Sequence, residues 1–163
     1  EDIDLSKFLP RFLIVGSGPE HVNVLRLLNE WRIEKYFKLK GNIIYDEIPY
    51  YYNLADIFVL PSLPVRTWQE QFGMVLVEAM ASGLPVITTF CGSIPEVIGN
   101  TGRLIPAGNS FMLYREIKNL ILNKTLRDGL GKKARERAEK EFDSIKCAEK
   151  IADIYGSLSK QDD

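Results

Sequence analysis

Two glutamates, Glu70 and Glu78, flank the start of an apolar segment that has the length of a helix. From Gly73 to Ser82, Glu78 is the one charged residue among residues that are apolar on almost every side of a helix, a composition typical of buried helices. A buried carboxylate without hydrogen-bond donors is very unfavourable. We therefore expect donors for Glu78, either from an arginine or a backbone turn or from a ligand that carries hydroxyl groups.

The start of this helix has the features of an anion site. Gly73 has no side chain to cover the free N–H groups and the positive dipole end there, and a diphosphate binds readily at such an end. The negative charge of Glu70, just before this point, would repel a phosphate unless Glu70 binds another part of the ligand. A diphosphate at the helix start, a ribose along the helix and a sugar beyond the start would use all three features.

A second candidate phosphate contact is the turn Gly16-Ser17-Gly18, which follows an apolar run and precedes a helix. A dinucleotide fingerprint would require a small residue where His21 stands and an acid near Lys40, where there is none. These two departures from the fingerprint argue against a nicotinamide-dependent oxidoreductase. Phosphate contact and a plain tight turn remain equal alternatives.

Apolar runs and amphipathic stretches alternate along the first two thirds of the chain. The runs predict buried parallel strands at Phe12–Val15, Phe37–Leu39, Ile57–Leu60, Pro85–Thr88 and Arg103–Ile105. The stretches between them predict helices at Glu20–Trp31, Pro49–Ala55, Phe72–Ser82 and Ile94–Ile98. This alternation predicts an α/β fold with a parallel sheet covered by helices on both faces, in one domain spanning residues 1–163.

After Pro106 the pattern is helical. The spacing of Leu113, Ile117, Leu120 and Ile121 predicts one amphipathic helix. Thr125 and Asp128 predict a capping box for a second helix that ends at Phe142. A last helix is predicted from Ser144 to Leu158.

The composition excludes several classes of protein. With 21 basic and 22 acidic residues in 163 and a net charge of −1, the chain is unsuited to binding nucleic acid by bulk charge. Two cysteines and one histidine make a disulfide scaffold, a histidine-based metal site or a catalytic triad improbable. No apolar run approaches the ~18 residues of a membrane span, so we expect a cytoplasmic protein. With one histidine and no acid cluster near the proposed diphosphate site apart from Glu70, we expect no bound metal.

The pattern Glu-x-Phe-Gly-x-x-x-x-Glu-Ala-Met-Ala-x-Gly-x-Pro-Val, over residues 70–86, resembles the group 1 family of retaining glycosyltransferases with the GT-B fold. Four further segments resemble the family in the same order, namely Ile14–Pro19, Ala55–Ser62, Gly92–Ile98 and Thr101–Pro106. The resemblance implies a Rossmann-like domain ending in two or three helices. It would be the C-terminal, donor-binding half of such an enzyme, with the N-terminal acceptor domain absent from this chain.

The resemblance also implies roles for individual residues. The diphosphate would lie on the backbone N–H groups near Phe72, Gly73, Met74 and Val75. Glu78 would accept hydrogen bonds from the ribose hydroxyls, and Glu70 would orient the transferred sugar as the catalytic partner of Glu78. The resemblance implies further donor contacts in the N-terminal part, from Gly16 and Gly18 to phosphate and from Asn42 and Ile43 to the base. For Asn42 and Ile43, a plain surface loop is an equal alternative.

The implied activity is transfer of a sugar from a UDP-, GDP- or ADP-sugar, with retention of configuration and without a cofactor or metal. The acceptor would be a glycan, a lipid or a small molecule bound by the missing domain, and peripheral membrane association of the full-length enzyme stays open. A nucleotide-sugar epimerase of the same fold and a non-catalytic nucleotide-binding module are the rival functions.

Three departures from the family pattern stand out. The stretch 63–69 is longer than usual, and its Arg66 and Trp68 either contact sugar or phosphate or form a surface loop anchored by a buried tryptophan. The basic residues that neutralise the leaving diphosphate in the family would lie before Gly16, where only a charged ten-residue lead-in is present. Cys91 replaces a common glycine and is expected to be a small packed residue.

Overall fold

The strands pair in two parallel sheets. The computed structural model describes residues 10–158, so the ends of the domain expected over residues 1–163, and most of the ten-residue lead-in, lie outside the described residues. One sheet pairs β1 (Phe12–Val15) with β2 (Phe37–Lys40); in the other, β4 (Val86–Thr89) lies between β3 (Phe58–Leu60) and β5 (Arg103–Ile105). Each strand lies within one residue of its predicted bounds.

The chain divides into two compact units, which meet in sequence between Ile48 and Pro49. In the first unit, helix α1 (His21–Glu30) connects β1 to β2, and the Phe12 and Phe37 rings stack across the two strands with centroids 4.7 Å apart. Two single-turn 3-10 helices, Glu34–Tyr36 and Tyr45–Glu47, flank β2.

The remaining helices follow in the predicted order. They are α2 (Ile48–Asn53), α3 (Met74–Ala81), α4 (Ile94–Ile98), α5 (Ser110–Leu122), α6 (Lys124–Glu141) and α7 (Ser144–Leu158). Successive residues of β4 point to opposite faces of the sheet. Val86 belongs to a core cluster with α3, α4 and α6, whereas Ile87 packs with Leu120 of α5 and Leu130 of α6. Helices therefore cover both faces of the three-stranded sheet, as predicted.

A single asparagine joins α5 to α6. The side chain of Asn123 accepts a hydrogen bond from the backbone N–H of Leu126 (2.9 Å), and α6 begins at Lys124. The capping box predicted at Thr125 and Asp128 is therefore wrong. Thr125 lies inside the first turn, and the Asp128 carboxylate pairs with the Lys124 ammonium one turn earlier instead of capping the helix.

Helix α6 packs closely against the end of α3. A Cβ atom on Gly131 would lie only 2.2 Å from the carbonyl oxygen of Gly83, so the two backbones touch where any side chain would hold them apart. Gly83 itself follows α3 with φ +76°, a left-handed conformation that favours glycine.

No helix within residues 10–158 is both long enough and apolar enough to cross a membrane. The apolar side of α7 is exposed, and the exposed fractions of Ile151 and Tyr155 are 55% and 70%.

Candidate functional site

The candidate site of the second unit lies at the carboxyl end of the three-stranded sheet, and two threonines of β4 fix its base. The Thr88 hydroxyl donates to the carbonyl oxygen of Leu60 (2.8 Å), and the Thr89 hydroxyl donates to that of Ser62 (2.6 Å). Both threonines are buried. These bonds hold the chain that leaves β3 against the end of the neighbouring strand, so the loop to α3 starts from a fixed point.

Gly92 fixes the backbone of Glu70. The backbone N–H of Ser93 donates to the Glu70 carbonyl oxygen (3.0 Å), and a Cβ atom on Gly92 would lie 1.9 Å from the same oxygen. Gly92 has φ +55°, so both the close approach and the left-handed backbone require glycine here. The position of Glu70 therefore depends on the loop that follows β4.

The stretch 63–69 between these two fixed points forms a small hairpin. Val65 and Trp68 exchange two backbone hydrogen bonds, of 2.9 and 3.2 Å, around a tip at Arg66 and Thr67. The Trp68 side chain is 50% exposed, so the alternative of a loop anchored by a buried tryptophan is wrong. The ring stays half exposed because the hairpin pairs its backbone with itself and not with the sheet.

Helix α3 starts without a side-chain cap. Gly73 is its N-cap residue, with φ +78°, and no side chain accepts a hydrogen bond from the first turn at this cap. A Cβ atom on Gly73 would lie 2.8 Å from the Leu76 side chain. Free N–H groups at such a start, together with the helix dipole, attract anions.

The first turn of α3 is open to solvent. Met74 and Val75 are 59% and 40% exposed, whereas Leu76, Ala79 and Met80 are fully buried. The prediction that this helix is buried on almost every side is therefore wrong for its first turn. Gly73 itself is buried, so the open part of the helix start is at Met74 and Val75.

The turn before Gly73 is supported from the end of α6. The Phe72 ring makes an edge-to-face contact with Phe142, with centroids 5.6 Å apart, and Phe142 packs against the core cluster of α3, α4 and α6. The Arg137 guanidinium lies 5.8 Å from the Phe142 ring centre and donates to the carbonyl oxygen of Val97 at the end of α4 (2.8 Å). Phe72 is 39% exposed, so this ring contact supports one side of Phe72 and leaves the other open.

Glu78 has the donor that the sequence required, but the donor is a tyrosine. The Tyr52 hydroxyl of α2 donates to Oε2 of Glu78 (2.9 Å), and the Glu78 side chain is half-buried. Sequence reasoning named an arginine or a backbone turn as protein donors and missed Tyr52. The available signal was the run Tyr50-Tyr51-Tyr52 in a short helix, although the sequence does not tell which of the three faces Glu78.

In the first unit, the Gly16-Ser17-Gly18 turn and Asn42 lie together at the carboxyl ends of β1 and β2. The backbone N–H of Gly16 donates to the backbone carbonyl oxygen of Lys40 (3.0 Å), and the Ser17 hydroxyl donates to Oδ1 of Asn42 (2.8 Å). Both segments are exposed, whereas Ile43 is half-buried.

The structure thus gathers the candidate residues in two groups, one in each unit. In the second unit they occupy the first two turns of α3 and the turn before it: Glu70, Phe72, Gly73, Met74, Val75 and Glu78. In the first unit they are Gly16, Gly18, Asn42 and Ile43. Among residues 10–158, no group of three or more His, Cys, Asp or Glu side chains is arranged to hold a metal ion.

Comparison with known proteins identifies the family. Residues 5–123, nearly three quarters of the chain, match the family described as glycosyl transferases group 1. The chain belongs to the group 1 glycosyl transferases. Among curated proteins, the N-acetyl-alpha-D-glucosaminyl L-malate synthase of Bacillus anthracis is 33% identical over 93% of this chain, and spore coat protein SA of Bacillus subtilis is 38% identical over 67%. The chain spans 39% and 29% of the lengths of these two relatives.

Solved structures of the group 1 glycosyl transferases and related enzymes share this fold. Anabaena Alr3699/HepE in complex with UDP superposes with a TM-score of 0.79 at 26% identity, over 91% of this chain and 41% of that one. The C-terminal domain of the group 1 protein LpcC of Francisella tularensis gives 0.73 at 25% identity, over 86% of this chain and 74% of that one. The predicted fold class, a Rossmann-like α/β domain of the GT-B kind that ends in helices, is confirmed.

Proposed function

We propose that this chain is the donor-binding half of a retaining glycosyltransferase, forming one domain over residues 1–163. It binds a UDP-, GDP- or ADP-sugar and, together with an acceptor-binding domain, transfers the sugar with retention of configuration. The observation that carries the proposal is the uncapped, solvent-open start of α3 between Glu70 and Glu78. The structural similarity to HepE, which was solved with UDP and with UDP-glucose, supports a nucleotide-sugar donor.

The diphosphate binds at the start of α3. The backbone N–H groups of Gly73, Met74 and Val75 donate to the diphosphate oxygens. Phe72 directly precedes these residues. Each such charge-assisted contact contributes on the order of 1 kcal/mol, and the helix dipole adds to the attraction. The same groups stabilise the negative charge that grows on the diphosphate as the sugar leaves, because they already point to the position where that charge develops.

The ribose binds along α3 at Glu78. Five residues of helix, at a rise of about 1.5 Å per residue, place Glu78 roughly 7 Å from Gly73 along the helix axis. A diphosphate at the helix start and the ribose attached to it fit this separation. The carboxylate accepts hydrogen bonds from ribose hydroxyls, and such a bond to an ionised group contributes about 1.5–3 kcal/mol.

Glu70 acts on the transferred sugar. Its negative charge lies just before the anion site, so it suits the hydroxyls of the sugar and the positive charge that develops at the anomeric carbon. When the bond from that carbon to the diphosphate oxygen breaks, the electron pair leaves with the diphosphate toward α3. Glu70 stays beside the electron-poor centre, and an interaction that strengthens only in the transition state accelerates transfer.

The remaining features of the proposal concern ligands and setting. In the first unit, Gly16 and Gly18 are proposed phosphate contacts, and Asn42 and Ile43 proposed base contacts, supported by the Ser17–Asn42 hydrogen bond. We propose that no cofactor or metal takes part, that the acceptor is a glycan, a lipid or a small molecule, and that the protein is cytoplasmic. Two free cysteines agree with a reducing compartment.

Titration calorimetry of this chain tests donor binding. UDP, GDP and ADP are compared with UMP, GMP and AMP, and we expect the preferred diphosphate to bind at least about tenfold more tightly than its monophosphate. Glu78→Gln should weaken diphosphate binding without lowering the melting temperature, whereas Glu136→Gln, on the exposed side of α6, should change neither. Equal affinity for a diphosphate and its monophosphate would contradict the placement of the phosphates at α3.

A further inference from the structure

Tyr52 of α2 reaches the proposed ribose site although it lies 26 residues before Glu78 in the sequence. We propose that Tyr52 is a positioning residue, whose hydroxyl orients the Glu78 carboxylate for the ribose of the donor. This inference rests on the proposed function of Glu78. It assigns a role in donor binding to a residue outside the motif of residues 70–86.

The hydroxyl of Tyr52 has two acceptors within reach and only one proton to donate. Its oxygen lies 2.9 Å from Oε2 of Glu78 and 3.3 Å from the backbone carbonyl oxygen of Val75. The carboxylate is the closer acceptor and carries a charge, and hydrogen bonds to charged acceptors are the stronger ones. The proton therefore belongs to the Glu78 contact, which holds Oε2 at a set point beside α3.

The ring of Tyr52 is itself held in place. It makes an edge-to-face contact with Phe58 of β3, with centroids 5.7 Å apart, and it packs against the core cluster of α3, α4 and α6. Since a tyrosine side chain turns about only two bonds, a fixed ring also fixes the hydroxyl position. The ring contact with Phe58 and the hydroxyl bond to Glu78 thus connect the sheet to the Glu78 carboxylate.

A glutamate side chain has several rotamers, and each hydrogen bond that its carboxylate accepts favours the rotamers that keep the bond. The Tyr52 hydroxyl supplies one such bond to Glu78. Binding a ribose requires ordering that side chain, and ordering flexible groups at a site weakens affinity. The Tyr52 bond supplies part of this ordering before the ligand arrives. This ordering increases affinity only for ligands that bind the Glu78 carboxylate. A general effect of Tyr52 on folding would instead change the affinity for every ligand.

The experiment compares Tyr52→Phe with wild type by titration calorimetry of the same chain. The probes are the diphosphate among UDP, GDP and ADP that binds in the titration above, and its 2′,3′-dideoxy form, which lacks the ribose hydroxyls. We expect Tyr52→Phe to weaken the ribonucleotide about fivefold and the dideoxynucleotide less than twofold. Tyr50→Phe, which removes an exposed hydroxyl from the same helix, is the matched control and should change neither affinity.

Two results would overturn the inference. Tyr52→Phe could bind the ribonucleotide as wild type does while Glu78→Gln binds it weakly, in which case Glu78 works without the tyrosine. Tyr52→Phe could also weaken both nucleotides equally, in which case its role is structural. If instead Glu78→Gln leaves ribonucleotide affinity unchanged, the proposed ribose contact itself fails, and the inference fails with it.

Discussion

Replacing Gly92 by alanine should destabilise the second unit, because this glycine lies against the backbone of Glu70. The new Cβ atom would lie 1.9 Å from the Glu70 carbonyl oxygen and 3.2 Å from the Glu70 backbone nitrogen. Both neighbours are backbone atoms, so no side-chain rotation relieves the contact. The loop after β4 or the turn that carries Glu70 has to move.

Two contributions set the size of the effect. Alanine at φ +55° adopts the left-handed conformation at a cost of about 1–2 kcal/mol. Overpacking of a closely packed contact costs typically 1–3 kcal/mol. Gly92→Ala should therefore lower the free energy of unfolding by about 2–5 kcal/mol. With a urea dependence of about 2 kcal/mol per molar, the unfolding midpoint falls by roughly 1–2.5 M.

The assay is urea unfolding followed by tryptophan fluorescence. Because the chain has two tryptophans, the measurement is made in a Trp31→Phe background, where Trp68 beside Glu70 reports on the second unit alone. Gly129→Ala is the matched control, since its Cβ atom would meet nothing within 4 Å in the interior of α6. Alanine is the better helix former, so this control should raise stability by about 0.5–1 kcal/mol.

The reasoning is refuted if Gly92→Ala unfolds at the same urea concentration as its parent. An equal loss of stability in the two glycine variants would refute it as well, because the argument requires Gly92→Ala to lower the free energy of unfolding and Gly129→Ala to raise it.

Three further predictions concern catalysis. In a transfer-competent protein that contains this chain, Glu70→Ala should lower kcat at least about tenfold while changing the affinity for the free nucleoside diphosphate less than twofold. A comparable loss of nucleotide affinity would mean that Glu70 contacts the nucleotide and not the sugar. Transfer by the same protein should continue in EDTA, and activity that disappears and then returns with magnesium or manganese would contradict metal-free catalysis. The 163-residue chain alone should bind donor but form no product with any acceptor, and robust acceptor-dependent transfer would show that no second domain is needed.

The strands were predictable because each has a distinctive composition. Buried parallel strands are rich in apolar residues, and the runs Phe12–Val15 and Arg103–Ile105 coincide with β1 and β5. The predicted burial is wrong for β1, whose four residues are 36–48% exposed. Helix starts were harder to locate. Thr125 and Asn123 are both cap-forming residue types two positions apart, and the sequence alone does not show that α6 follows α5 without a loop.

The candidate site was predictable where its residues are close in sequence. Glu70, Gly73 and Glu78 lie on one turn and one helix, so their spacing indicates their arrangement. The Tyr52–Glu78 bond was not predictable, because the packing of α2 against Phe58 selects which of three consecutive tyrosines reaches α3. The exposure of Met74 and Val75 was missed for a related reason, since composition describes a helix as a whole and the open first turn depends on what surrounds it.

The hairpin before α3 is attached at both ends by bonds that do not involve its own residues. Ser62 is held by the Thr89 hydroxyl and Glu70 by the N–H of Ser93, so residues 63–69 span two anchored points. Evolution or a protein engineer can therefore lengthen, shorten or exchange this segment while the carboxylate of Glu70 keeps its place. The length and sequence of this segment can therefore change independently of the proposed catalytic residue Glu70, and grafting the corresponding segments of other family members between Ser62 and Glu70 would test this.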